Sequence, residues 1–313
     1  MAGGIDAATW TDAELAVPVI DMQGLTLTRG DLPALRSMST VPPAFAAGVE
    51  QRDLRAGDIG LTLFRPRNAP AGLPCVYWIH GGGMIVGDRH MDDATLNRWC
   101  LDLGCAFLSV DYRLAPEAAY PLPIEDCDAG LMYLFEHGQE WGLDLTRVGI
   151  GGRSAGGGLA AGLALRLRDR GDRRLRFQYL EYPMLDDRQT TRSSQLDDLA
   201  IWSRESNTFG WRSYLGAWYG KDSVPNDAVP ARASHLKDLP PAFLCVGTAD
   251  GFYDEVVDYS VRLNAAAVPS ELHVYAGAPH GFHLFSDSHV THCAEADSTN
   301  WLRRQLMRPE PQP

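Results

Sequence analysis

Short apolar runs alternate along the chain with longer amphipathic segments. Residues 75–79, 106–110, 148–150, 177–180 and 242–246 are runs of three to five apolar or small positions, most of them bounded by turn residues, and they read as buried strands. Residues 59–64 alternate roughly as a further strand. Helix-period segments cover 91–103, 124–141, 155–168 and 252–266. Strand followed by helix, repeated this regularly, implies right-handed crossovers and a mostly parallel sheet, an α/β fold. Residues 11–49 are mixed and helix-prone, broken by Pro18, Pro33, Pro42 and Pro43. The rhythm fails between Tyr182-Pro183 and Ser234, about fifty residues that far exceed an ordinary connection. This stretch is rich in aromatics, including Trp202, Phe209, Trp211, Tyr214, Trp218 and Tyr219, and suits a lid or cap. A solvated insertion that packs its aromatics on itself is the alternative.

The 313 residues carry 28 basic and 40 acidic side chains, a formal charge of -12 and a pI near 5.1. That balance disfavours nucleic acid and anionic membrane as partners, since both are polyanions. No run approaches the roughly 18 apolar residues of a membrane span. The start, Met1-Ala2-Gly3-Gly4-Ile5-Asp6, lacks a basic segment followed by an apolar one, so no secretory leader is expected and the chain reads as cytoplasmic. Six cysteines (Cys75, Cys100, Cys105, Cys127, Cys245, Cys293) include no CxxC pair and are expected as free thiols.

Gly152-Arg153-Ser154-Ala155-Gly156 is a G-x-S-x-G pattern between a strand and an Ala/Leu-rich helix. A serine on such a sharp turn is held in strained backbone, and flanking glycines remove the Cβ atoms that would clash with neighbouring elements. A P-loop would need Lys-Ser/Thr after its glycines, and a dinucleotide fingerprint a third glycine where Ser154 stands. A turn that merely packs a helix on a sheet is the remaining alternative. Upstream, His80-Gly81-Gly82-Gly83-Met84 directly follows an apolar run. Consecutive glycines there are costly in entropy but let backbone N–H groups crowd a developing oxyanion. Gly81, Gly82 and Ala155 are the expected donors, with His80 ordering the loop.

Beyond the long segment, Asp250 lies just beyond the strand 242–246, in the motif Leu244–Phe252, and His280 sits in a tight Pro279-His280-Gly281 loop after another strand. Serine, aspartate and histidine thus occur in the chain order of an α/β-hydrolase triad, each beyond the C-terminal end of a strand. The chemistry needs them together. A serine hydroxyl is a poor nucleophile until an imidazole takes its proton, and a buried carboxylate fixes the tautomer of that imidazole. Asp250 can also cap the helix before Phe252. Asp254 and Glu255, a turn later, are expected to face solvent or an ion pair. His283, His289, His292 and Cys293 form a loose group without the paired spacing of a metal site, so no metal is expected.

Together, His80-Gly81-Gly82-Gly83, the block 111–117 (DYRLAPE), Tyr120-Pro121 with Glu125-Asp126, the Ser154-Ala155-Gly156-Gly157-Gly158 elbow, and the contexts of Asp250 and His280-Gly281-Phe282 resemble the hormone-sensitive-lipase-like esterases. The resemblance spans about residues 77–282. It implies an α/β-hydrolase fold, a mostly parallel central sheet flanked by helices, with a helical cap built from an N-terminal segment (1–48) and an insertion at about 185–233 in a catalytic domain of residues 49–313. It also implies hydrolysis of short- to medium-chain carboxylic esters by Ser154, Asp250 and His280, with a small-molecule ester as partner and no cofactor. Amidase, lactonase and acyl transferase share the acyl-enzyme step and stay open; a ligand-binding protein on the same scaffold is opposed by His280. Met84, Arg153, Trp202, Phe209, Trp211 and Phe282 are candidate substrate-binding residues. Arg153 departs from the acidic residue common before the nucleophile; it is expected to pair with an acid of the cap, or else with a substrate carboxylate. An edge strand and the helix at 300–307 could join two copies as a homodimer.

Overall fold

The computed structural model describes residues 11–15, 22–38 and 47–307. The start at Met1–Asp6, on which the expectation of no secretory leader rests, the Pro-rich stretch from Pro309 and parts of the 1–48 segment lie outside them. An eight-stranded sheet runs in the order β1-β2-β4-β3-β5-β6-β7-β8. Its strands are β1 (Val49–Ala56), β2 (Ile59–Pro66), β3 (Leu73–Ile79), β4 (Ala106–Asp111), β5 (Leu143–Arg153), β6 (Leu175–Glu181), β7 (Ala242–Ala249) and β8 (Ser270–Pro279). The pairs β1/β2 and β2/β4 are antiparallel; every other pair is parallel. The parallel centre is apolar for the expected reason. All seven residues of β3 are buried, as a strand covered on both faces requires.

Helices connect these strands: α1 (Leu32–Ser37), α2 (Asp93–Leu103), α3 (Leu122–His137), α4 (Ala155–Asp169), α5 (Arg204–Leu215), α6 (Tyr253–Ala265) and α7 (His289–Met307). The expected helices 155–168 and 252–266 match α4 and α6 to within a residue at each end, and 124–141 resolves into α3 followed by a tighter turn at Gly138–Trp141. α4 packs against β3, β5 and β6, at the middle of the sheet. Among the described residues no helix is long and apolar enough to cross a membrane.

Strand β1 is absent from the sequence reading because Glu50, Gln51, Arg52, Asp53 and Arg55 leave no apolar run. It exists as the outer arm of a hairpin whose two-residue connection, Gly57-Asp58, has Gly57 at φ +61°. That dipeptide between β2 and a charged alternating stretch was the available signal.

The long segment after β6 holds α5 and several single turns. Its aromatics divide: Trp211 and Tyr214 are fully buried and Trp202 nearly so, Phe209 and Tyr219 are half-buried, and Trp218 is exposed. Residues 22–27 lie against it. Gln23 bridges to Ala200, Gly24 N–H donates to the Leu199 carbonyl and Leu27 N–H to Ser206 Oγ at 2.8 Å.

Candidate active site

Sheet register alone brings the chemistry-bearing residues together. Ile79 of β3 is paired with Gly152 of β5, which sets His80-Gly81 beside Arg153-Ser154. Ala249 of β7 is paired with Pro279 of β8, so the next residues, Asp250 and His280, leave the sheet side by side. All of these are C-terminal strand ends, one rim of the sheet.

Ser154 occupies the turn between β5 and α4 with φ +54° and ψ -121°, a conformation few side-chain-bearing residues adopt. Its N–H donates to the Glu181 carbonyl at 2.9 Å, and its own carbonyl accepts from Gly158 and Met184, each at 3.0 Å. The turn needs a bare backbone at Gly156, where a Cβ would stand 2.0 Å from the Ile79 carbonyl oxygen. His280 Nε2 lies 2.9 Å from Ser154 Oγ, and His280 Nδ1 lies 2.8 Å from Asp250 Oδ2. Asp250 is buried, and its second oxygen accepts from Phe252 N–H at 2.9 Å in a turn just ahead of α6, whose N-cap is Phe252 and not the expected Asp250. The rings of Tyr182 and Phe252 each meet the imidazole edge to face at 4.9 Å. An imidazole held this way donates Nδ1–H to the acid and presents Nε2 to the hydroxyl.

Gly81 and Gly82 follow β3, and Ala155 opens α4. Among the described residues their N–H groups meet no acceptor. At Gly82, φ is +99° and a Cβ would stand 2.1 Å from the Val86 carbonyl oxygen, so only glycine fits the loop. His80 is buried, stacks on Tyr112 at 4.2 Å and shares a 2.8 Å hydrogen bond from Nδ1 to the Gly81 carbonyl; burial lowers its pKa. It shapes the loop and does not line the cavity.

A cavity of about 260 Å³ opens over Ser154 and His280, bounded by Gly81, Gly82 and Gly83 on one side and by Ile201 and Trp202 on another. Of the candidate substrate-binding residues, Arg153 and Trp202 line it. Met84, Phe209, Trp211 and Phe282 do not. Met84 turns inward, with its carbonyl bonded to Ala115 N–H; Trp211 is wedged by Tyr214; Phe282 packs on Tyr182 and Tyr275. Leu27, Met91, Asp92, Tyr182 and His283 line the cavity without having been singled out for it. Only His283, three residues past His280, carried a usable signal.

Arg153 corrects an expectation. Its partners come from the sheet side of the molecule and not from the long segment. Nε lies 2.7 Å from Glu181 Oε2 at the end of β6, and Nη1 lies 2.7 Å from Asp92 Oδ1, just before α2. Trp78 and Trp99 flank the guanidinium at 5.7 Å each, and Trp78 Nε1–H donates to Asp92 Oδ2. Burial works against the charge, but the two carboxylates outweigh it and the guanidinium pKa is raised. With both acids already paired to it, Arg153 offers a substrate carboxylate no unanswered charge.

Asp254 and Glu255 correct another. Asp254 Oδ2 accepts from Ser193 N–H at 2.7 Å. Glu255 is buried, not solvent-facing, and its Oε1 accepts from Leu185 N–H at 2.7 Å and Asp186 N–H at 3.3 Å. Burial raises its pKa well above the ordinary 4.5. The folded state therefore holds this proton above pH 4.5 where the unfolded chain has released it, so stability falls as pH rises towards the folded value. Glu255→Gln keeps the acceptor without the ionisation. Between pH 5 and 8 the variant is expected to gain stability steadily over wild type in urea melts; a constant difference across that range would contradict the assignment.

His289 and Cys293 lie one helical turn apart in α7, with Sγ 3.5 Å from Nε2, while His283 turns to the cavity instead. No group of three or more metal-binding side chains occurs among the described residues. All six cysteines are free, and only Cys293 is not buried.

A family model described as alpha/beta hydrolase fold matches residues 76–284. Esterase LipI of Mycobacterium tuberculosis is 37% identical over 230 residues, 72% of each chain. Carboxylesterase NlhH of the same species is 32% identical over 265 residues, 80% of this chain and 81% of that one. Among solved structures, a bacterial heroin esterase superposes with a TM-score of 0.89 at 35% identity, covering 96% of this chain and 99% of the other.

Proposed function

The chain belongs to the hormone-sensitive-lipase-like family of the alpha/beta hydrolase fold, and from that membership we propose that it is a serine carboxylesterase acting on short- to medium-chain esters through an acyl-enzyme. One observation carries the reading: a single imidazole, that of His280, is 2.9 Å from Ser154 Oγ and 2.8 Å from Asp250 Oδ2. Ser154 Oγ attacks the ester carbonyl as His280 takes its proton. The N–H groups of Gly81, Gly82 and Ala155 receive the oxyanion, each donor contributing about 2.7–4 kcal/mol of transition-state stabilisation. His280 then protonates the leaving alcohol, and on the return half-reaction it activates the water that releases the acid. Asp250 keeps the ring in the required tautomer. No metal or cofactor enters this route.

In this reading the described parts of the 1–48 segment, together with residues at about 185–233, act as the cap. Leu27 from the first and Ile201 and Trp202 from the second border the cavity, and the contacts between Gln23 and Ala200 tie the two pieces together. Cavity size sets the substrate. A volume of about 260 Å³ is below the roughly 300–1,000 Å³ of pockets that take drug-sized ligands. Hydrolysis of p-nitrophenyl acetate, butyrate, octanoate and palmitate tests both claims. Acetate and butyrate are expected to turn over fastest. Palmitate should be slower in kcat/KM by roughly tenfold or more, as an overpacking penalty of about 1–3 kcal/mol implies. No hydrolysis of any member would remove the esterase reading, and a palmitate rate equal to that of acetate would remove the size limit.

A further inference from the structure

The cavity over Ser154 is apolar except along one side, where His283 stands outside the catalytic set. Leu27, Val86, Met91, Ile201, Trp202 and Leu284 supply the apolar lining. Ser154 and His280 are bonded to each other, and Arg153 and Asp92 form a buried ion pair. His283 is half-buried, stacked on Tyr182 with ring centroids 5.7 Å apart, and its Nδ1 is hydrogen-bonded to the Tyr182 hydroxyl.

We propose that His283 is a specificity-determining residue whose Nε2–H binds an acceptor oxygen (ether, carbonyl or hydroxyl) carried on the alcohol part of the ester. This rests on the esterase reading above. The proton positions follow from the surroundings. Tyr182 is buried, and burial first, then the nearby Glu181, keeps its phenol protonated. Burial first, and then the nearby Arg153 guanidinium, hold the His283 imidazole neutral, its pKa well below the usual value. Among the described residues the phenol has no acceptor besides His283 Nδ1. The phenol therefore donates, Nδ1 accepts, and the ring's own proton resides on Nε2. That atom has no hydrogen-bond partner among the described residues, and His283 lines the cavity.

The alcohol side follows from the chemistry of His280. Its Nε2 must reach the leaving oxygen to protonate it, so the group attached to that oxygen occupies the His280 side of the cavity. His283 and Leu284 come from the same loop, in the single turn Phe282–Leu284 that follows Gly281 at φ +66°. Leu284 supplies apolar contact there and His283 one donor. A site that combines an apolar wall with one fixed donor prefers an oxygenated alcohol to its hydrocarbon isostere.

Two isosteric substrate pairs test this. 2-Methoxyethyl acetate and butyl acetate differ on the alcohol side, and ethyl methoxyacetate and ethyl butyrate differ on the acyl side. In His283→Phe the kcat/KM ratio of the first pair is expected to fall roughly 3- to 10-fold, the worth of one neutral hydrogen bond, with the second pair unmoved. His283→Gln retains a donor and is expected to recover part of the ratio. Tyr182→Phe leaves His283 in place but frees its tautomer, and should lower the same ratio, which keeps the idea testable if His283→Phe fails to fold. An unchanged alcohol-side ratio in the folded variants, an equal loss on both members of that pair, or a change confined to the acyl-side pair would overturn the proposal. Wild type inert on all four esters would refute the esterase reading itself, a separate outcome.

Discussion

Ser154→Ala is expected to lower kcat for a short nitrophenyl ester by a factor on the order of a million, the loss seen when a triad nucleophile is removed. The substitution deletes only Oγ. Alanine keeps the Cβ and the same backbone demands, so the strained turn at φ +54° is no worse served than before, and the N–H of residue 154 still donates to the Glu181 carbonyl. The far-ultraviolet spectrum and urea midpoint should match those of wild type, which assigns the loss to chemistry and not to folding. Residual hydrolysis is expected above the rate in water, because the N–H groups of Gly81, Gly82 and Ala155, the proposed oxyanion donors, are untouched by the substitution. Equal rates in the two proteins would mean that another group performs the attack.

The second large effect concerns stability. Arg153 and its two acids, Asp92 and Glu181, each have about 5% of the side chain exposed. Removing the guanidinium strands two carboxylates in a wall of Trp78, Trp99 and Tyr179, where solvent cannot answer their charge. Arg153→Ala is therefore expected to cost about 3–5 kcal/mol of unfolding free energy in urea at neutral pH, the penalty for breaking a buried ion pair on one side. Glu181→Gln added to it should return part of that loss, because one stranded charge disappears; the coupling between the two sites is the diagnostic quantity. A single-variant loss below about 0.5 kcal/mol, the size of an ordinary surface change, would show that the acids are hydrated and the network incidental.

Much of the sheet was legible because parallel strands covered on both faces are written as uninterrupted apolar runs, and β3, β4 and β7 are of that kind. β1 was not, since a charged outer strand owes its existence to a partner and a turn and not to its own burial. Ser154, Asp250 and His280 were legible because each sits beside residues the backbone requires there, notably the glycines at 156 and 281. Pocket residues were harder. Trp211 and Phe282 have the aromatic character of ligand contacts, but size and apolarity suit a core equally well, and both are buried away from the cavity. The partners of Arg153 were hidden too: ladder register sets Glu181 opposite it, and no spacing in the chain reports a register.

One feature of the sheet bears on how the protein is made. Ser154 leaves β5 and His280 leaves β8, 126 residues later, with β6 and β7 between them in the sheet. At cellular translation speeds of about 5–20 residues per second, roughly ten seconds separate the emergence of the two side chains from the ribosome. In the mechanism proposed above, the hydroxyl lacks its base throughout that interval, which leaves a nascent chain without a competent nucleophile. Latency during synthesis would then be a by-product of strand order.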